Sequence, residues 1–169
     1  MHVMSWWEGA RRRPREDVLA GSFSLENARE TIAREYGYAD WATVEALGEK
    51  RVNVRFETAL DTMQAGDLLE LKNCIEKTPE LATTASVFGH KATLLHYLGA
   101  NGVESHRQHM PLNAAELAKL LISNGADICA EAIMYGGGQT PFALASTSAH
   151  PHNAGIADAL NLILRHEVS

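Results

Sequence analysis

The chain has 169 residues, enough for one domain or a short array of repeats with a sizeable core. Apolar residues make up 46% and charged residues 21%, as in globular proteins, and the net charge of −6 argues against non-specific binding to nucleic acid. Two cysteines, Cys74 and Cys129, are too few for a disulfide framework, and no stretch approaches the length of a membrane span. We therefore expect free thiols and a cytoplasmic protein.

The first 21 residues show no hydrophobic periodicity and are rich in arginine and charge. Their basic run, Arg11 to Arg15, is followed at once by Glu16 and Asp17. This composition predicts a flexible leader, with a solvated arm favoured over a phosphate-binding one.

Residues 22–54 have the pattern of a small helical cap. Ser24 is a suitable N-cap for a first helix, and Gly37 interrupts the pattern. A second helix is predicted from Asp40 to Leu47. The apolar positions that give the first helix its spacing are Leu25, Ala28, Ile32 and Ala33.

An internal repeat follows. The segment VFGHKATLLHYL, 87–98, aligns without a gap with MYGGGQTPFALA, 134–145. Both contain an apolar residue, an aromatic residue, a glycine, a threonine and then an apolar helix pattern. No alternating pattern predicts a strand, and the stretch around YGGGQT is interpreted as a hairpin tip. The expected fold class is all-α.

Two segments of the central repeat carry a resemblance to a known family. The start TLLH, 93–96, and the later AKLLISNGAD, 118–127, resemble the ankyrin repeat. The resemblance implies a helical solenoid of about three stacked helix pairs over 55–169, divided at about 55–86, 87–131 and 132–169. It implies that His96 hydrogen-bonds back to the turn and ties neighbouring units together. The residues that it assigns to caps, turns and helix ends are Thr93, His96, Gly102, Gly125, Thr140 and Pro141.

The central unit is longer than an ankyrin repeat requires. From Gly102 to Gly125 it has a surplus of roughly eleven residues, Val103 to Asn113, and 150–155 lengthens the same link in the next unit. Equivalent links of stacked units should be neighbours. The insertions contain four histidines that could bind a transition metal, although two polar loops packed on each other are the favoured interpretation: His106, His109, His150 and His152.

The resemblance implies a non-enzymatic module that binds another protein through the concave face, formed by hairpin tips and first helices. It assigns no catalytic residue and no cofactor. The alternative is a small hydrolase or metal-binding protein that uses the histidine-rich loops 103–113 and 150–155. The apolar last helix pair also suggests a homodimer, or an array with further repeats. The candidate partner-binding residues are His90, Lys91, Asn101, Tyr135, Gln139 and Ser148.

Overall fold

The computed structural model describes residues 14–165, which are mostly helical with one two-stranded sheet. None of the helices in this range has the length and apolar character needed to cross a membrane. The helices are α1 Arg15–Ala20, α2 Leu25–Glu35, α3 Trp41–Ala46, α4 Val54–Gln64, α5 Leu68–Lys77, α6 Leu94–Tyr97, α7 Ala114–Ser123, α8 Pro141–Thr147, α9 Ala149–Asn153 and α10 Ala157–Leu164. The strands are β1 Ala132–Met134 and β2 Gly137–Gln139, and short 3-10 turns cover Gly48–Arg51, Pro79–Ala82 and Ser105–Arg107.

The cap contains the two helices that its sequence predicts. The Ser24 hydroxyl accepts a hydrogen bond from the Asn27 N–H, and the Asn27 side chain accepts one from the Ser24 N–H, so α2 begins with a capping box. Asp40 accepts from the Thr43 N–H at the start of α3. The predicted leader is only partly described: 1–13 lie outside the described residues, and α1 is helical where no helix was expected.

Three helix pairs stack to form one continuous core. The pairs are α4 with α5, α6 with α7, and α8 with α10. The second helices α5, α7 and α10 contact one another in succession, while α6 contacts α8, and Phe56 of α4 approaches the Tyr97 ring of α6 at 6.1 Å between centroids. Each pair therefore covers an apolar face of its neighbour.

Strands β1 and β2 form the hairpin that precedes α8, with Ala132 opposite Gln139. Tyr135 and Gly136 occupy the turn with φ angles of 55° and 84°, as a tight two-residue hairpin requires. A single bridge between Ala85 and Thr93 lies at the corresponding place before α6. The sequence predicted the hairpin tip but no strand, because three-residue strands are too short to show alternation.

Most of the predicted helix ends are present. Thr140 accepts from the Ala143 N–H with Pro141 at the first helical position, and Gly125 (φ 92°) follows α7. The N–H groups of Gly125 and Ala126 donate to carbonyls of the last turn of α7, which is the Schellman arrangement. The prediction for Gly102 is wrong, since α6 ends at Tyr97 and the chain turns well before that glycine.

Candidate functional site

The first insertion is part of the folded core and not a decorated loop, which corrects the interpretation of 103–113. We call these residues the strap. Val103 and Glu104 are buried, with Glu104 only 1% exposed. The Ser105 N–H donates to Glu35 Oε1 of α2 at 3.0 Å, and Gln64 of α4 donates to the Arg107 carbonyl at 2.6 Å. The strap therefore runs back over α4 towards the cap.

Arg107 fixes the middle of the strap to α4. Its guanidinium donates to Glu57 at 3.0 Å, to Gln64 at 3.2 Å and to Asp61. These three partners are three or four residues apart in α4, so they lie on one side of the helix. Burial raises the pKa of Glu57, and the positive charge of Arg107 opposes that shift.

A buried polar cluster joins the strap to residues 85–93, which turn back at the Ala85–Thr93 bridge before α6 and which we call the first hairpin. Glu104 Oε1 lies 3.1 Å from His90 Nε2 and accepts from the Tyr97 hydroxyl at 3.2 Å. The Ala92 N–H donates to His90 Nδ1, which assigns the imidazole proton to Nε2 and makes that atom the donor to Glu104. Burial by itself would raise the pKa of Glu104, but hydrogen bonds and the nearby imidazole outweigh it and hold the pKa below its ordinary value.

The cap contacts the first hairpin through one backbone hydrogen bond and one tyrosine side chain. The Gly89 N–H donates to the Tyr36 carbonyl at 2.9 Å, and the Tyr38 hydroxyl donates to the Val87 carbonyl at 3.1 Å. A Cβ atom on Gly89 would overlap the carbonyl of Gly37, so the two backbone segments can approach this closely only because both positions are glycine.

An open groove of about 350 Å³ lies beside this contact, between the cap and the first hairpin. Tyr36 packs edge-on against Phe88 with ring centroids 4.6 Å apart. Burial raises the pKa of Tyr36 and of Tyr38, and the negative charge of Glu104 raises both further. Four aromatic and four aliphatic side chains line the groove: Tyr36, Tyr38, Trp41, Phe88, Ile32, Ala33, Val44 and Val52.

The structure separates the predicted partner-binding residues into two groups. His90 and Ser148 are buried, which corrects their assignment to an exposed surface; His90 is 2% exposed, and Ser148 caps α9 by accepting from the His150 N–H. The remaining four lie at or near the surface, with Lys91 and Tyr135 exposed, Asn101 and Gln139 half-buried, and the Tyr135 hydroxyl donating to Asn101.

The histidines of the two insertions are exposed and are not assembled into a metal site. His106 lies near Tyr36, whereas His150 and His152 belong to α9, which packs on α10. His109 is exposed in the strap. Within 14–165 no group of three histidine, cysteine, aspartate or glutamate side chains is placed to hold a metal ion. The strap forms hydrogen bonds with α2 and α4, and the expected contact between the two insertions stays a prediction.

His96 makes the bridging contacts predicted for it. Its Nδ1 accepts from the Thr93 N–H at 3.1 Å, and its Nε2 donates to the carbonyl of Gln139 in the next unit at 2.9 Å and to that of Ala130, just before β1, at 3.1 Å. Burial lowers the pKa of His96, and the two carbonyl acceptors oppose that shift only in part. The imidazole is thus a neutral tie between neighbouring units.

Sequence reasoning missed the strap contacts, the buried cluster and the aromatic groove. The only available signal was the pair of short motifs Tyr36–Gly37–Tyr38 and Phe88–Gly89–His90, each an aromatic residue followed by glycine. Comparison of the chain with protein-family models, with curated proteins and with solved structures gave no match.

Proposed function

We propose that the protein is a non-enzymatic interaction module of the ankyrin type that binds another protein. The ankyrin assignment is supported by the stacked helix pairs, by the His96 tie from one unit to the next, and by the Gly125 helix end. Cys74 and Cys129 are free thiols, which supports the cytoplasmic location that we also propose.

The binding surface that we propose is the tip of the β1–β2 hairpin. Ile133 and Tyr135 are 65% and 69% exposed, and this exposure of two large apolar side chains on a short hairpin is the observation that carries the proposal. The strap already covers part of the face formed by α4 and α6. A partner is therefore expected to contact the hairpin tip, with Lys91 and Asn101 at its margin, more than the first helices.

Catalysis is the weaker alternative because its groups lack access to a substrate. His90, Glu104 and Tyr97 resemble an acid–base constellation in residue type, yet each is at most 2% exposed. A general base must come within hydrogen-bond distance of the proton that it removes. The contacts among these three residues hold the strap to the first hairpin and to α6, which is a structural role.

The test is affinity capture from an extract of the cells that make the protein. Three tagged proteins are compared: the wild type, the double variant Ile133→Ser/Tyr135→Ala and a control variant. The matched control is Leu69→Ser, because Leu69 is 71% exposed and belongs to α5, not to the hairpin. We expect the hairpin variant to lose a captured protein that the wild type and the control both retain. Equal capture by all three folded proteins would contradict the proposed surface.

A further inference from the structure

The groove between the cap and the first hairpin has an unusual wall, since half of its lining side chains are aromatic. The Tyr36 and Phe88 rings are nearly perpendicular, at 89°, and the Tyr38 hydroxyl is tied to the Val87 carbonyl. Tyr36, Tyr38, Trp41 and Phe88 are all half-buried, so part of each remains accessible. Partial exposure around a concave space is the arrangement of a binding site and not of a closed core.

The carboxylates nearest the Tyr36 phenol favour a cation at that side of the groove. Burial is the largest cause of the raised pKa of Tyr36 and of Tyr38, and the negative charge of Glu104 adds to it at both phenols. At Tyr36, Glu35 and Glu57 act in the same direction and Arg107 in the opposite one; Arg107 and Glu57 form an ion pair, which leaves Glu104 and Glu35 as further negative charges. These charges favour a cation over an anion beside the Tyr36 hydroxyl.

One ring of the groove already makes a cation contact. Trp41 also lines an adjoining depression, where the Arg29 guanidinium lies 5.6 Å from the Trp41 ring centroid. Such a contact uses the negative face of the aromatic quadrupole, which is also what recognises quaternary ammonium groups. The aliphatic side chains Ile32, Val44 and Val52 would contact the methyl groups that such a cation carries.

We propose that this groove binds a small quaternary ammonium cation, a compound with a trimethylammonium group, in contact with Tyr36, Tyr38, Trp41 and Phe88. A volume of about 350 Å³ is at the lower end for ligand sites, and it fits a small free molecule better than a folded segment of a partner. The site is separate from the hairpin tip, so it stands or fails independently of the proposed partner surface.

The primary test compares choline with its neutral isostere, in which a tert-butyl group replaces the trimethylammonium group. Both are titrated against wild-type protein while the methyl proton resonance is followed by NMR. We expect a saturable upfield shift for choline, because the aromatic rings lie against the methyl groups, and an affinity at least about fivefold higher than that of the isostere. Equal affinities would show an apolar pocket and overturn the proposal, as would a choline titration that does not saturate.

Variants then locate the site. Trp41→Leu should weaken choline binding about fivefold or more, because it removes a ring face and keeps an apolar side chain. Tyr38→Phe keeps the ring and should bind choline as the wild type does, and Tyr135→Leu removes an exposed ring outside the groove and should have no effect. A folded Trp41→Leu protein with unchanged affinity would place the cation elsewhere. If Trp41→Leu does not fold, the isostere comparison on the wild type still decides.

A last arm distinguishes a free ligand from a modified protein. An unstructured peptide with one trimethyllysine presents the same cation on a chain. The free-ligand proposal expects the peptide to bind no more tightly than choline. A peptide affinity more than about tenfold higher would overturn it, since contacts along the chain would then contribute.

Discussion

At the residue scale, the role of each buried histidine follows from the hydrogen-bond partners of its two ring nitrogens. In both His90 and His96 a backbone N–H donates to Nδ1, which leaves Nε2 as the donor. His96 Nε2 donates to the backbone carbonyls of Ala130 and Gln139, on either side of β1, whereas His90 Nε2 faces the Glu104 carboxylate. The first set of contacts joins neighbouring helix pairs, and the second holds the strap.

His96→Ala is expected to lower the free energy of unfolding by about 1–3 kcal/mol at neutral pH, because the carbonyls of Gln139 and Ala130 and the Thr93 N–H lose their partner. Urea unfolding followed by circular dichroism measures the difference. His152→Ala, an exposed position in α9, is the control and should lie within about 0.5 kcal/mol of the wild type. Identical unfolding curves for His96→Ala and the wild type would contradict the bridging role.

The same substitution should show a defined pH dependence. The pKa of His96 is lower in the folded than in the unfolded protein, so the unfolded state binds more protons as the pH falls below about 6.5. Acidification through that range destabilises the wild type at this residue, and His96→Ala lacks the effect. We therefore expect the difference in unfolding free energy between the wild type and His96→Ala to be larger at pH 7.5 than at pH 5.5. A difference that grows on acidification would mean that folding raises the pKa of His96.

Glu104→Ala is expected to destabilise the protein by about 1–3 kcal/mol, because His90 and Tyr97 would remain buried without their common acceptor. His109→Ala in the same strap is exposed and serves as the matched control, with an expected change below about 0.5 kcal/mol. Thermal unfolding of both variants measures the contrast. Similar losses for the two would mean that the strap contributes as a loop and not through the cluster.

At the scale of elements, the sequence predicted the helix ends, because these depend on residues that are close to one another in the chain. Ser24 and Asp40 cap helices through hydrogen bonds to residues three positions away, and Gly125 ends α7 through its own backbone conformation. The strap depends on partners that are distant in sequence, such as Gln64 for Arg107 and Glu35 for Ser105. The sequence has no pattern that marks such pairings. The position of the insertion along the chain could therefore be predicted, but not the elements on which it packs.

Gly89→Ala is expected to release the cap from the first hairpin, because the new methyl group would overlap the Gly37 carbonyl. Overpacking of this kind costs about 1–3 kcal/mol, and its effect should be local. Hydrogen exchange should show lost protection at the amide of residue 89, which donates to Tyr36, while amides in α7 keep theirs. Gly137→Ala is the control, since no heavy atom lies within 4 Å of its Cβ position. Unchanged protection at residue 89 would contradict the close approach.

Replacing the strap 103–113 by a tight link tests whether it is an element of the core. Loop length alone costs little entropy, and from sequence we would expect an ordered helical protein to remain. The structure leads to the opposite expectation, since the replacement removes Val103, the Glu104 cluster and the Arg107 contacts together. Circular dichroism should show a large loss of helix or of cooperative unfolding. An intact, equally stable helical protein would show that the strap is dispensable.

At the scale of the whole molecule, the cap covers the first hairpin, whereas the face formed by the second helices is partly open. The cap lies on the first hairpin through Tyr36, Tyr38 and Gly89. On the face formed by the second helices α7 and α10, the chain leaves a shallow depression open, and Leu162 is 65% exposed there. Its lining is mixed: Glu116, Lys119 and Ser123 are polar or charged, and the apolar part is formed by Ala115, Ile122, Ala159, Leu162 and Ile163.

Exposed Leu162 and the apolar part of this lining lead to the prediction that two copies of the chain associate through α7 and α10. Exposed Leu162 would enter the depression of the second copy, beside the half-buried Ile122 and Ile163, and a two-fold axis would make the contact reciprocal. Sedimentation over a concentration series should show dimers, and Leu162→Glu should shift them towards monomer, because a carboxylate would have to lose water to enter an apolar contact. Leu69→Glu, at an equally exposed leucine on α5, should leave the association unchanged. A wild type that stays monomeric at high concentration, or that responds alike to both substitutions, would contradict the predicted dimer.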